Sequence, residues 1–204
     1  AALRYDYPHI SFMDEKETQD RLGSKRFHCG VRDVGTGHIH PLKLLVGLAR
    51  VAANAGAEIF EMTKATAIRQ GGGKVTIETE RGTITTERAL IACDGYIDGL
   101  EPVTASHVMP IRSFIGATAP LDGHPDVLPG GEAVADSRFV VRYFRKFGDG
   151  RLLFGGREAY TSDNPRDISQ HIRRQIAEIY PDLKNIDITH AWGGPLGVPR
   201  DWHP

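Results

Sequence analysis

From Pro41 to Ala55 the apolar residues Leu42, Leu45, Val46, Leu48, Ala49, Ala52 and Ala53 recur at helical spacing, and just after Gly56 the spacing becomes that of extended chain. This change of period constrains the fold more than any other feature. A helix that hands over to strands within a few residues belongs to a layered arrangement, in which one helix face covers a sheet. Pro41 suits the first helical position and Gly56 the stop. Glu58 to Met62 is expected as a short strand. A three-stranded meander should follow, made of Ala65 to Arg69, Val75 to Glu78 and Thr83 to Thr85, with turns at Gly71-Gly72-Gly73 and Glu80-Arg81-Gly82. Arg88 to Cys93, a nearly continuous apolar run, has the pattern of a strand covered on both faces.

The second half is expected to build another, mostly antiparallel sheet from Val108 to Thr118, Phe139 to Phe147 and Arg151 to Phe154, the last two joined by a hairpin at Gly148-Asp149-Gly150. Leu121 to Ala135, rich in Pro and Gly, is expected as a long loop. A helix starting at Asp163 or Asn164 with Pro165 should carry Ile168, Ile172, Ile176 and Ile179 on one face as far as Pro181, and Ile186 to Trp192 should close the sheet. The fold class expected is α+β, a mixed α/β chain with two separate sheets.

With 204 residues, 40% of them hydrophobic, the chain can bury a substantial core. Its formal net charge of -1 gives no field for gathering a nucleic acid or an anionic membrane. Cys29 and Cys93 are far apart and in no Cys-x-x-Cys spacing, which speaks against a disulfide framework and a thiolate zinc site. The apolar stretches are short, and Asp6, Asp14, Glu15 and Glu17 stand where an export signal would be apolar. A cytoplasmic setting without a membrane span is expected. A start at Ala1-Ala2-Leu3 and a stop at Trp202-His203-Pro204 predict a piece of a longer polypeptide.

Gly35-Thr36-Gly37 before the helix, with Glu61 further on, invites comparison with a dinucleotide fingerprint, but the third glycine position is His40 and the preceding Phe27 to Val34 is too polar for a buried first strand. A glycine turn leading into a helix is the better reading. His28, Cys29, His38 and His40 are loosely spaced for a metal, and none is expected there. The exit Ile91 to Tyr96 either presents backbone N–H groups to a ligand or is an ordinary passage from strand to loop. In Arg142-Tyr143-Phe144-Arg145, strand alternation sets Arg142 and Phe144 on one face and Tyr143 and Arg145 on the other. One face either lines a pocket, a tyrosine and a cation orienting a polar substrate, or is simply solvated. No nucleophile elbow organises the serines and histidines into a hydrolase.

The order of several stretches resembles the D-amino-acid oxidase and glycine oxidase superfamily of flavoproteins, especially its γ-glutamylputrescine oxidoreductase-like branch. They are Gly37-His-Ile-His-Pro-Leu42, Gly56-Ala-Glu-Ile-Phe-Glu61, Arg88 to Tyr96, and Tyr143 to Arg157, together with Met109-Pro-Ile-Arg112 and Ala191-Trp-Gly-Gly194. The resemblance implies a flavoenzyme that takes a hydride from an amine-bearing carbon, with FAD as cofactor and an amine or amino acid as substrate. Residues 36–96 then correspond to part of an FAD-binding domain, 1–35 and 97–190 to a substrate domain, and 191–204 to a return segment. Cofactor contacts are expected at Ala65, Ala92, Cys93, Gly95 and Tyr96. Substrate contacts are expected at Tyr143, which matches a strand position facing the flavin in glycine-oxidase-like proteins, and at Arg145 and Trp192. The family's glycine fingerprint and its closing segment lie outside this sequence, so the 204 residues alone are expected to lack stoichiometric FAD, and self-association through uncovered apolar surface is expected. Where amino-acid oxidisers carry an arginine after a Trp-x-Gly-like stretch, this sequence has Trp192-Gly193-Gly194-Pro195, which favours an amine. The alternatives are an amino-acid oxidase or dehydrogenase of the same fold, and a metabolite-binding module without flavin.

Overall fold

The computed structural model describes residues 6–159 and 167–201. In chain order the elements are β1 (Ile10–Met13), α1 (Glu15–Leu22), β2 (Gly30–Asp33), α2 (Pro41–Asn54), β3 (Ala65–Gly71), β4 (Lys74–Thr79), β5 (Gly82–Thr86), the four-residue α3 (Pro102–Ala105), β6 (Val108–Pro120), β7 (Val134–Ala135), β8 (Tyr143–Lys146), β9 (Arg151–Ala159), α4 (Ile168–Ile179) and β10 (Ile188–Pro199). The strands form a β1-β2 hairpin, a β3-β4-β5 meander and a five-stranded sheet of order β10-β6-β9-β8-β7. The chain divides into two compact units, one of residues 1–38 and 112–194, the other of 39–111 and 195–204.

The first unit holds the core. Asp167 caps α4 by accepting from the Gln170 N–H at 2.7 Å, and the helix runs until Tyr180-Pro181 ends it. Ile172, Ile176 and Ile179, at helical spacing, are buried with Phe144, Leu152 and Phe154 of the sheet and with Leu128 and Leu183. The Phe144 and Phe154 rings stack with centroids 5.3 Å apart. The Tyr180 hydroxyl donates to the Leu22 carbonyl at 2.8 Å and the Ser24 hydroxyl to the Ile179 carbonyl at 2.6 Å, tying the end of α1 to this core. Burial pushes the Tyr180 phenol pKa up.

β8 alternates as the sequence predicts. Phe144 enters the core, and Arg142 is buried on the same side, where its guanidinium donates to Glu178 of α4. That hydrogen bond, with the charges of Arg142, Arg138 and Arg26, holds the Glu178 carboxyl below the usual range although burial opposes it. A lowered folded pKa gives stability that is present above the pKa of the unfolded carboxyl and lost as pH falls through the folded value. Glu178→Gln is therefore expected to cost on the order of 1 kcal/mol at neutral pH after solvent screening is allowed for. It should cost little at a pH below the folded pKa, a contrast that denaturation at the two pH values will show.

Several expectations need correction. Glu58 to Met62 is not a strand, and Ile59 and Phe60 are 53% and 63% exposed. Arg88 to Cys93 is not a strand either, and Leu90 is 91% exposed. Both runs have strand-like composition, but a strand exists only with a ladder partner, and no described strand lies alongside them. Among the described residues no face of α2 covers a sheet, since none of its 14 residues is buried. β8 begins at Tyr143 rather than Phe139, because the Asp136 carboxylate takes the Arg138 and Arg142 N–H groups into a loop. The closing strand is longer than expected, and β7 pairs at the end of the 121–135 loop. The expected start of α4 at 163–165 lies outside the described residues. The sequence reading also assigned no element to α1, although Asp14 accepts from the Glu17 N–H at 2.8 Å and Gly23 closes the helix in the left-handed region, two signals visible in the sequence.

Candidate functional site

On the face of the five-stranded sheet away from α4, Tyr143 and Arg145 stand two residues apart on β8, about 7 Å along the strand. The Tyr143 hydroxyl lies 3.0 Å from the Ser113 hydroxyl of β6, across β9. This reach requires Gly155, which is paired with Tyr143 in the ladder: a Cβ there would collide with the Tyr143 ring, so glycine leaves the floor on which the ring lies. Tyr143 is 38% exposed. The Arg145 guanidinium is 2.8 Å from His38 Nδ1, and His38 Nε2 is 3.4 Å from the Gly131 carbonyl. An arginine only donates, so His38 Nδ1 accepts and Nε2 carries the proton. Among the described residues no carboxylate pairs with Arg145. The structure thus brings Tyr143 and Arg145 onto one face. Trp192, by contrast, is on β10, three strand spacings or about 14 Å from β8.

His38 also borders a cavity of about 760 Å³ in the same unit, whose wall includes Phe12, Phe27, Val31, Glu132 and Ala135. Each of its carboxylates has a donor on at least one oxygen, whereas the buried Glu132 Oε2 has none among the described residues. Asp33 accepts from the Tyr7 hydroxyl at 2.9 Å, Glu132 pairs with Arg21 at 3.2 Å, and Asp136 accepts from backbone N–H groups. Sequence reasoning treated His38 only as a conceivable metal ligand and did not single out Ser113. Their partners come from strands and loops remote in sequence, and no local motif signals such contacts.

His28, His38 and His40, at which no metal is expected, have separate roles: His28 Nδ1 lies 2.9 Å from Glu15, His38 serves Arg145, and His40 caps α2 by accepting from the Lys43 N–H. Among the described residues no group of three or more His, Cys, Asp or Glu is placed to hold a metal.

The residues expected on the cofactor side lie in the second unit. Ala65 begins β3 beside a bulge, and Cys93 leads into a 3₁₀ turn over Asp94–Tyr96, in which Tyr96 is 70% exposed. Asp94 accepts from the Gly197 N–H at 2.6 Å. Gly95 has no room for a Cβ, which would fall 2.9 Å from the backbone of Pro195 and Leu196, so the close approach that glycine permits here serves the chain's own return segment. Among the described residues, the turn before α2 does not make a cradle for the phosphates of FAD. At Gly35 a Cβ would meet Tyr7 and His9, and the amino end of α2 is already capped by His40. What remains for a cofactor is the exposed backbone margin around Ala92 to Tyr96.

Among curated relatives, the chain is 71% identical over 201 residues to "Probable oxidoreductase OrdL" of Rhizobium meliloti (strain 1021), covering 98% of this chain and 47% of that protein. It is 28% identical over 194 residues to "Gamma-glutamylputrescine oxidoreductase" of Escherichia coli (strain K12), covering 94% and 45%. The chain spans about half the length of these relatives. Among solved structures, glycine oxidase from Geobacillus kaustophilus superposes with a TM-score of 0.82 at 20% identity, over 98% of this chain and 54% of that one, which establishes likeness of fold. No helix of the described residues is long and apolar enough to cross a membrane. The family model described as "DAO: FAD dependent oxidoreductase" matches residues 1–204, and the chain belongs to that family.

Proposed function

We propose that the whole protein oxidises the C–N bond of an amine, with a γ-glutamylputrescine-like compound as substrate, and that this chain contributes its substrate-facing sheet. The observation that carries the reading is the open face bearing Tyr143, Ser113 and Arg145, with two hydroxyls and one cation that has no carboxylate partner among the described residues, backed by a rigid core. In a family of FAD-dependent oxidoreductases such a face supports an enzyme over a flavin-free binding module. FAD bound by the whole protein supplies the hydride acceptor. The chain's own residues hold and orient substrate. The Tyr143 and Ser113 hydroxyls can each donate or accept, which suits a neutral amine that must expose its lone pair while the adjacent C–H is removed. Loss of that hydride and an N–H proton leaves an imine, which water hydrolyses to a carbonyl compound and ammonia or an amine.

The cofactor side of the reading assigns Ala65, Ala92, Cys93, Gly95 and Tyr96 to FAD contacts made through backbone at the margin of the site. It also assigns the uncovered apolar surface of α2 to burial against the other half of the polypeptide. The Gly194-Pro195 sequence after Trp192 favours an amine over an amino acid. Steady-state kinetics of the FAD-loaded whole protein test this. A γ-glutamylputrescine-type amine should exceed glycine, D-alanine, sarcosine and proline in kcat/KM by about tenfold or more, a difference of roughly 1.4 kcal/mol in transition-state binding. Preference for any of the four amino acids overturns the amine assignment in favour of an amino-acid oxidase or dehydrogenase.

A further inference from the structure

We infer that His38 is a positioning residue that fixes Arg145 as an anchor for an anionic group on the substrate. The inference rests on the reading that the Tyr143–Arg145 face meets substrate. Arg145 is a cation on the open face with no carboxylate partner among the described residues. The acids that line the cavity beside His38, namely Asp33, Glu132 and Asp136, have other donors, as given above. What holds Arg145 is instead a neutral acceptor, His38 Nδ1 at 2.8 Å. A carboxylate in that place would neutralise the guanidinium, whereas an imidazole fixes one of its N–H groups and leaves the charge and the remaining donors for a ligand.

His38 is oriented in turn. Its Nε2–H can reach only an acceptor, and the Gly131 carbonyl, 3.4 Å away, is that acceptor. The ring is thereby held as the Nε2–H tautomer that keeps Nδ1 free to receive Arg145. The linkage from loop carbonyl to imidazole to guanidinium is a preorganised donor site, and the ligand it suits is a planar anion such as a carboxylate, which accepts two parallel N–H groups from an arginine. With Tyr143 two residues away on the same face, a substrate held by its acidic group at Arg145 would lay its polar chain toward the Tyr143 and Ser113 hydroxyls.

The test uses the FAD-loaded whole protein and glutarate as probe, with the isosteric diamide glutaramide as the neutral comparison, measured by calorimetry. Glutarate should bind at least about tenfold more tightly than glutaramide. Arg145→Gln should remove that preference, and His38→Ala should weaken glutarate about fivefold, the sizes expected for a charge-assisted hydrogen bond and for loss of preorganisation. His38→Gln, whose amide can accept from Arg145 and donate to Gly131, should restore binding to within about twofold of the parent. With an acid-bearing amine as substrate, the His38→Ala loss should fall on KM more than on kcat. Equal binding of glutarate and glutaramide, or no effect of Arg145→Gln, overturns the anion site. A His38→Gln variant as weak as His38→Ala overturns the positioning role. Turnover is read separately: glutarate binding with these variant effects, in a protein that oxidises no amine, would sink the functional reading and leave the anion site standing.

Discussion

Purified as these 204 residues, the chain will not hold stoichiometric FAD, whereas the whole protein will be yellow. A dinucleotide needs backbone donors aimed at its pyrophosphate, and the usual source is the amino end of a helix after a glycine-rich turn. Of the two glycines that precede α2, Gly35 is committed otherwise. The space at Gly35 is taken by Tyr7 and His9, and His40 occupies the Lys43 N–H in the first turn of α2. The margin at Ala92 to Tyr96 offers a few backbone groups on an exposed turn, and the segment before it has no ladder to hold it in place. Contacts of that number and rigidity leave little after the ordering of a large, flexible ligand is set against them. Titration of the chain with FAD by calorimetry and flavin fluorescence should show no one-to-one complex in the micromolar range. Such a complex would mean that the phosphates are held within these residues, with Gly35 and Gly37 the first positions to mutate.

Phe154→Ala will cost about 3–5 kcal/mol, the range for a fully buried aromatic truncated in a core that cannot collapse around the gap. Phe154 has no exposed surface, stacks on Phe144, and belongs to the cluster that joins the sheet to α4 through Ile172 and Ile176. That loss is a large fraction of the total stability of a typical domain. Phe139, 94% exposed in the loop before β8, provides the comparison: Phe139→Ala should stay within about 0.5 kcal/mol. Guanidinium denaturation of both variants, followed by far-ultraviolet circular dichroism, will measure the difference. Similar midpoints for the two would mean that the 172–176 face of α4 does not pack on the sheet as described.

Placing Tyr143 and Arg145 away from the core follows from the period of two along β8, and placing Ile172, Ile176 and Ile179 on one buried stripe follows from helical spacing. Both are local geometry, and both were legible in the sequence alone. The meander was equally legible, because its turns and alternating runs lie within a few residues of each other. The strands expected at Glu58–Met62 and Arg88–Cys93 failed for the complementary reason. Their apolar composition describes a surface that would be buried beside neighbours, but strand structure depends on a second backbone that composition cannot supply. The Arg145–His38–Gly131 linkage and the Tyr143–Ser113 contact lay beyond sequence reading on the same ground. Their sequence separations of 107, 93 and 30 residues are closed only by the order of strands and loops in the folded unit. The sequence by itself determined which side chains share a face of a helix or a strand, because backbone dihedral periods are local. The tertiary structure alone decided which of those faces meet, since that depends on burying apolar surface and satisfying polar groups across the whole unit.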